Sequence, residues 1–585
     1  MNEQLLEPLK FYRDEGKVQH EQNVKDFFDD LLQKSGVNEE ENRATVRVYE
    51  KTNEEIKKVG KKISRLKLLK GFLVFLTIAG FIAMAIGILL CVDATYLAIG
   101  IISIVLGLAA GVGFIVLTAT QVTPRIKNAN KIKQALEEKA KELLAQAWAQ
   151  MAPLNNLFDD TDTLRIIEKT LPGMQFDMRF EKAREAFFVH HNDFIDLEDD
   201  ECSMTNTLSG NFFGNPFVFC RRFIHEMGVK TYYGSLTIHW TETYRDSQGN
   251  VRTRSRSETL HASVTKPKPE YYSNNYLCYG CQAAPDLTFS RNPTHAENLS
   301  DKALSKKIKK GEKQLNKQAQ RATKKGGNFQ EMANSEFDVL FGANDRDQEV
   351  QFRLMFTPLA QRNMVDLIKN NHEGFGDDFY FNKYKRCNII TSEHSQNWNM
   401  NTTAANYYSY HIDTVRSKFL NFNMQYFRYM FFDMAPIFSI PAYMEEPSPT
   451  LEPYENGSGN YTAYEHEVMA NAIGYRSFVH PESNTEAILK TSLYQRRDDA
   501  DVVSVTAYSY ATIQRIDYIP KRGGDGNYHN VPVPWIEYIP VYKTSNMVVQ
   551  RTDMTEREVN EAINAPDNNM PGGKYFHGMV AYCID

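Results

Sequence analysis

Two uninterrupted apolar runs, placed back to back, constrain this chain more than any other feature. Gly71 to Val92 (GFLVFLTIAGFIAMAIGILLCV) and Tyr96 to Thr118 hold no charged residue. As a helix the first run is about 33 Å long, enough to cross a hydrocarbon core of about 30 Å. Only Asp93, Ala94 and Thr95 separate the runs. That leaves room for a turn and nothing else, so the two helices must be antiparallel neighbours. Gly107 and Gly111 form a small-xxx-small pair that lets such helices approach closely. The alternative is a buried hairpin in a soluble core, but two uncharged runs of this length are hard to hide from water.

The flanks set an orientation. Lys57, Lys58, Lys61, Lys62, Arg65, Lys67 and Lys70 precede the first run, and Arg125, Lys127, Lys131 and Lys133 follow the second, while the turn carries Asp93 and no cation. The positive-inside rule then places both flanks in the cytoplasm, and with them the N- and C-termini. The expected localisation is a cell membrane crossed twice. Six of the seven cysteines are scattered outside the hairpin, which suits a reducing compartment. The Asn401, Asn456 and Asn460 sequons would not meet the glycosylation machinery there. The opening MNEQLLEPLK lacks a basic stretch followed by an apolar core, so no cleavable signal peptide is expected.

Helical rhythm continues on both sides of the spans. Tyr49, Thr52, Ile56, Val59, Ile63 and Leu66 follow one another at steps of 3 and 4, a heptad seam leading into the first span. Ile126, Ala129, Leu136, Ala140, Leu143 and Ala147 keep a looser version on the return, with Lys133 in one slot. This predicts an antiparallel helical stalk, the alternative being two helices lying on lipid headgroups. The seam leaves homo-oligomerisation through the stalk open. An earlier helix is expected at Val18 to Lys34, with Val24, Phe27, Phe28, Leu31 and Leu32 on one face and a stop at Ser35-Gly36.

From Met151 the pattern turns mixed. Thr161 to Thr170 reads as a short helix, and Asn211 to Arg222 as a strand or bent hairpin. Thr231 to Tyr244 and Val251 to Thr265 alternate around Asp246 to Asn250 and predict a long β-hairpin. Leu236, Ile238, Trp240, Leu260, Ala262 and Val264 share its apolar face. Lys266-Pro267-Lys268-Pro269 is expected to end the pairing. Phe337 to Gly342 and Val350 to Phe356 read as strands, and Thr357-Pro358 starts a helix running to Asn370. Tyr407 to Phe432 reads as a buried helix, since Asp413, Arg416, Lys418 and Arg428 interrupt it and forbid a third span. Met444 to Gly459 reads as a linker. Val502 to Arg515 and Pro532 to Tyr542 read as strands, and Met554 to Ile563 as a helix capped by Thr555 with Glu558.

The expected fold class is therefore α+β: an N-terminal helical stalk with a two-helix transmembrane hairpin, then mixed α/β soluble regions with antiparallel sheet. The domain plan is 1–70, cytoplasmic N-terminal helices; 71–118, the hairpin, with spans 71–92 and 96–118; 119–150, the returning stalk helix; 151–443, an α+β soluble domain with a basic helical insertion at 301–325; and 444–585, a second mixed region.

That insertion, DKALSKKIKKGEKQLNKQAQRATKK, carries ten basic residues and, after Asp301, one acidic residue, Glu312. Leu304, Ile308, Leu315, Ala319 and Ala322 fall along one side. Lys306, Lys307, Lys309, Lys310, Lys313, Lys317, Arg321, Lys324 and Lys325 are the candidate contacts for an acidic partner or a lipid surface. Nucleic acid is a weaker alternative, and a solvated insertion the plain one.

Catalytic patterns are scarce. Cys278-Tyr279-Gly280-Cys281 is a lone C-x-x-C, and a tetrahedral metal site needs two such pairs or spaced histidines. His239 and His261 fall on one face of the hairpin if even positions pair with even. Glu465-His466-Glu467 and His225-Glu226 lack H-E-x-x-H spacing. No P-loop, G-x-S-x-G or dinucleotide fingerprint occurs. No cofactor or catalytic residue is assigned, and the balance tips toward a non-enzyme.

The spanning hairpin, the run YYGSLTIHWTETYRDSQGNVRTRSRSETLHASVTKPKPEYY and the later FDVLFGANDRDQEVQFRLMFTPLAQRNMVDLI together resemble an uncharacterised family of bacterial membrane proteins from mollicutes and other low-GC Gram-positive bacteria. The resemblance covers residues 60 to 390 or so, and LMFTPLAQ and the hairpin are its most specific parts. It implies a bacterial cell membrane and brings no catalytic residues. The expectation is a membrane-anchored cytoplasmic scaffold or binding module, whose partners are the bilayer and a protein. The alternatives are a membrane-tethered, hydrolase-like enzyme with a site between the soluble regions, and an envelope-linked nucleic-acid binder.

Overall fold

The computed structural model describes residues 3–91, 96–177, 179–194, 201–445, 461–497, 500–554, 556–563 and 572–584. The chain divides into two compact units, one made of 26–158 with 404–420, the other of the remaining segments.

The first unit is helical. Glu39–Leu90 is a single helix of 52 residues. Asn38 caps it, its Oδ1 accepting from the Glu41 amide at 3.2 Å. Glu39, Glu40 and Glu41 fill the first turn, where the helix dipole favours negative charge. Leu97–Leu117, the π-turn Thr118–Val122 and Thr123–Asn155 form the return arm. The turn Asp93-Ala94-Thr95 lies outside the described residues.

The inner stripe of the outgoing helix comprises Tyr49, Thr52, Ile56, Val59, Ile63, Leu66, Lys70, Leu73, Thr77, Gly80, Met84 and Gly87, the less exposed positions. Its steps of 3 and 4 never break, so the stripe seen in the polar section passes unchanged into the apolar one. On the return arm the stripe is Gly100, Ile104, Gly107, Gly111, Phe114 and Thr118, then Val122, Ile126, Ala129, Lys133, Leu136, Ala140, Leu143 and Ala147. The step from Thr118 to Val122 is one residue too long for this rhythm. The π-turn lies across those residues. A π-turn absorbs one extra residue, so the stripe keeps facing inward below it.

In the apolar section contact runs through glycine. A Cβ on Gly80 would stand 3.0 Å from the Gly107 carbonyl oxygen, and one on Gly87 2.8 Å from that of Gly100. Ser103 Oγ donates to the Ala83 carbonyl at 3.1 Å. At the open end, Gln150 Nε2 donates to Thr45 Oγ1 at 3.1 Å. There the backbone of 404–420 clamps the arms: Asn42 Nδ2 donates to the Tyr410 carbonyl and its Oδ1 accepts from the Ile412 amide, each at 3.0 Å. Phe158 packs against both Tyr407 and Phe419, whose rings also touch each other.

The second unit holds two antiparallel sheets. The first contains β1 (Met174–Phe176), β2 (Cys202–Phe212), β3 (Asn215–Arg245), β4 (Val251–Gly280), β5 (Thr288–Arg291), β6 (Phe379–Tyr384) and β7 (Cys387–Ser392), in the order β1-β2-β3-β4-β7-β6-β5. The second contains β8 (Ile488–Arg496), β9 (Ala500–Arg522), β10 (Tyr528–Arg551), β11 (Lys574–Phe576) and β12 (Met579–Ile584), in the order β11-β12-β10-β9-β8. Phe213 and Gly214, with φ of 47° and 83°, make the tight turn between β2 and β3.

The expected hairpin is the outer part of β3 and β4, paired from Arg245↔Val251 inward. Its apolar face is covered, because Ile238, Leu260 and Ala262 pack with Val531 and Val533 of β10. Lys266 adds an ion pair with Asp517 at 2.7 Å and lies 4.2 Å from the Trp535 ring centre. One expectation fails here. Pro267 and Pro269 do not end the pairing, which continues through Val229↔Pro267 and Met227↔Pro269. Two residues apart, both prolines lack their donor on the same edge of β4. The strand's other neighbour, β7, pairs only with Leu277 to Gly280, so the free edge can carry them at no cost in ladder bonds.

Two further expectations are corrected. Phe337 to Gly342 is not a strand, since Ser335–Phe341 is a helix, with Asn334 Oδ1 capping the Phe337 amide at 3.2 Å and Gly342 closing it at φ 74°. Val350 to Phe356 is not a strand either, because Glu349–Met355 is helical. Phe337 stacks on Phe341, and Phe352 meets Phe356 at a tilt, each pair one turn apart on the same core. The helices Asp162–Thr170 and Pro358–Lys369 lie where expected, and Ile412–Phe438 covers most of the expected 407–432 helix but starts and ends later. Thr555 and most of the 444–459 linker fall outside the described residues.

Candidate functional site: the basic helix and its cleft

Asp301–Lys324 is one helix, with Ser300 Oγ accepting from the Ala303 amide at 3.4 Å. Its apolar side is seated. Leu315 is buried, and Leu304 and Ile308 pack on the aromatic core. Gly311, a weak residue for mid-helix on propensity alone, is required by contact: a Cβ there would stand 2.5 Å from Val339 Cγ1. Ser335 Oγ donates to Glu312 Oε1 at 2.6 Å, and Gln318 Nε2 to the Asn344 carbonyl at 2.9 Å. These contacts fix the helix against Ser335–Phe341 and the turn that follows.

Only four of the nine candidate cations line a cleft. Lys307, Lys310, Lys317 and Arg321 line a cleft of ≈ 710 Å³ floored by Leu315, Gly311 and Val339. Lys306, Lys309, Lys313, Lys324 and Lys325 are exposed and are not among the cleft's lining residues. Lys307 Nζ donates to the Thr294 carbonyl at 2.8 Å. Among the described residues no carboxylate forms an ion pair with any of the nine. The acid in the cleft, Asp338, is already matched by Arg346 at 2.7 Å and accepts the Met332 amide at 3.0 Å. The cleft therefore presents uncompensated positive charge over an apolar floor, which suits an anionic ligand with apolar surface.

The other candidates are not brought together. Cys278 is buried with Cys220, Tyr276 and Cys387, whereas Cys281 belongs to the separate cluster of Tyr279 and Tyr443. Hydrogen bonding to Cys387 and burial push the Cys278 thiol well up. His239 pairs with Ser257 and His261 with Ser235, four residues or about 13 Å apart along the strand. His466 meets Asp501 at 3.1 Å, Glu467 meets Lys490 at 2.7 Å, and Glu465 completes the Thr462 capping box. Among the described residues no group of three or more His, Cys, Asp or Glu side chains is arranged to hold a metal ion.

Sequence reasoning missed the buried ionic sites, among them Arg291 with Asp377 and a group around His394. His394 Nδ1 lies 2.7 Å from Asp378, and its Nε2 lies 3.3 Å from Asp433 at an angle too oblique for a hydrogen bond. Burial alone would lower this imidazole's pKa, but the two carboxylates outweigh it and raise it to about 9. Phe375 stacks on the ring at 3.9 Å. Burial also raises Glu465 to about 7 and lowers Lys383 to about 8. His394 is 8% exposed and the other two 1%, so these are core charges that a substrate does not reach. Asp378, His394 and Asp433 have no motif spacing to betray them.

No family model matches the chain, and neither a curated protein nor a solved structure does.

Proposed function

We propose that this chain is a membrane-anchored cytoplasmic binding module, held by the helical hairpin and recruiting a partner through its soluble unit. One observation carries the anchor: the apolar section of the hairpin is built inside out. Two helices are long and apolar enough to cross a membrane, with 11% and 17% of their most apolar windows buried. Glycines occupy the contact between them, while Phe75, Leu89 and Leu106 point outward at 65%, 72% and 65% exposure. Leaving one such side chain in water forfeits about 1.5–3 kcal/mol relative to burying it. Small residues inside and large apolar residues outside is the arrangement that lipid favours.

The cationic flanks support the orientation. The section from Glu39 to Lys70 adds about 48 Å of continuous polar helix, which makes it a stalk, and its 3–4 stripe supports a coiled-coil pairing of the two arms. The resemblance at residues 60 to 390 supports a bacterial cell membrane. The uncompensated cleft along 301–324 is what favours a binding role. Alkaline carbonate extraction of membranes holding the full chain tests the anchor. Retention in the pellet is expected, and release into the supernatant would contradict it.

A further inference from the structure

We infer that the cleft beside Val339 is a peptide-docking site whose occupant is an acidic segment with apolar side chains, presented by a partner protein. The inference deepens the binding-module reading by giving the partner a chemistry.

Charge comes first. Lys307, Lys310, Lys317 and Arg321 follow one another at steps of 3, 7 and 4 along one helix, so they form a row about 21 Å long. A single small anion can touch only one end of such a row, whereas an elongated polyanion engages all of it. Among the described residues no carboxylate pairs with this row, and the one acid lining the cleft, Asp338, is taken up by Arg346 at 2.7 Å.

The floor decides among polyanions. Leu315, Gly311 and Val339 make it apolar, which a bare phosphate chain cannot use. Phe, Tyr and Trp are missing from its lining, which removes the stacking platform that single-stranded nucleic acid needs. Gln314 and Asn344 line the cleft and can both donate to and accept from a peptide backbone, while phosphate offers only acceptors. An acidic segment with interspersed Leu or Ile satisfies row, floor and amides together, the pattern of an amphipathic segment laid in a groove.

The test uses the full chain in nanodiscs of zwitterionic lipid. The probe is a fluorescent peptide of alternating Glu and Leu, about eight residues long so that it spans the row when extended. Fluorescence anisotropy at physiological salt is expected to show saturable binding, tighter than for an all-Glu peptide of the same length. Lys310→Ala with Arg321→Ala is expected to weaken it about ten-fold, the scale for losing two charge-assisted contacts near the surface. Lys302→Ala with Lys309→Ala, exposed and turned away from the cleft row, is expected to leave it unchanged. Equal loss in both double variants would overturn the proposal in favour of diffuse charge attraction. Tighter, cleft-dependent binding of polyphosphate, of a single-stranded oligonucleotide or of anionic vesicles would overturn it in favour of another occupant, and no binding of any probe would remove the site. None of these results bears on carbonate extraction, so the anchor and the cleft stand or fall separately.

Discussion

Gly107 lies against Gly80 across the helical hairpin so closely that a Cβ on Gly107 would stand 2.6 Å from the Gly80 carbonyl oxygen. The backbones of the two arms touch there, and van der Waals packing of this kind is what holds helices together where lipid removes the hydrophobic drive.

Gly107→Ala is therefore expected to force the arms apart and to destabilise the helical unit by about 1–3 kcal/mol, as overpacking does. Gly113→Ala is its control, because nothing lies within 4 Å of a Cβ at Gly113. Thermal unfolding in micelles, followed by helical circular dichroism, should show a lowered midpoint for the first variant and an unchanged one for the second.

The His394 site predicts an alkaline limit. Its folded pKa of about 9 lies above the ordinary 6.5. The stabilisation is thus fully present below pH 6.5 and is lost as pH rises through about 9, with a total on the order of 3 kcal/mol. Urea unfolding at pH 6 and pH 9.5 should show this loss, and His394→Gln should remove most of the pH dependence while lowering stability at pH 6.

Thiol titration reads the burial of the cysteines. Cys202, Cys220, Cys278, Cys281 and Cys387 are buried, and Cys91 and Cys583 are partly exposed. Maleimide is expected to modify Cys583, and Cys91 in detergent, within minutes, and the other five only after unfolding. Rapid modification of Cys278 in the native protein would contradict its packing against Cys387.

Gly311 gives a local test of the basic helix. Gly311→Leu would drive a side chain into Val339 and is expected to loosen the 301–324 helix without unfolding the sheets. Limited trypsin digestion should then cut within 301–324 faster than in the wild type, with the fragment pattern elsewhere unchanged.

The parts legible in the sequence were those with long periodicity. The hairpin and its seam repeat over dozens of residues, and no competing pattern of that length exists, so Tyr49 to Leu66 fall on the inner stripe as read. The β3–β4 arms were legible from their alternation. Short apolar runs were not. FDVLFG spans fewer than two helical turns, where periods of 2 and 3.6 both place Phe337 and Phe341 on one face, and the deciding signals were Asn334 as a cap and Gly342 as a stop. The prolines at 267 and 269 misled for a different reason, since their effect depends on which strand edge is free and only the register reveals that. For the cleft, the sequence supplied the cations and the apolar side of their helix. Its cavity depended on Val339 and Asn344, whose approach to Gly311 and Gln318 is a tertiary fact without a local signature.

The orientation of the hairpin is the central claim, and labelling of its turn tests it most directly. In intact cells carrying the full chain with Ala94→Cys, and with the wild type as the Cys91 background, a membrane-impermeant maleimide should modify residue 94 without permeabilisation. Residue 94 labelled only after the cells are permeabilised would place the turn on the cytoplasmic side and contradict the account.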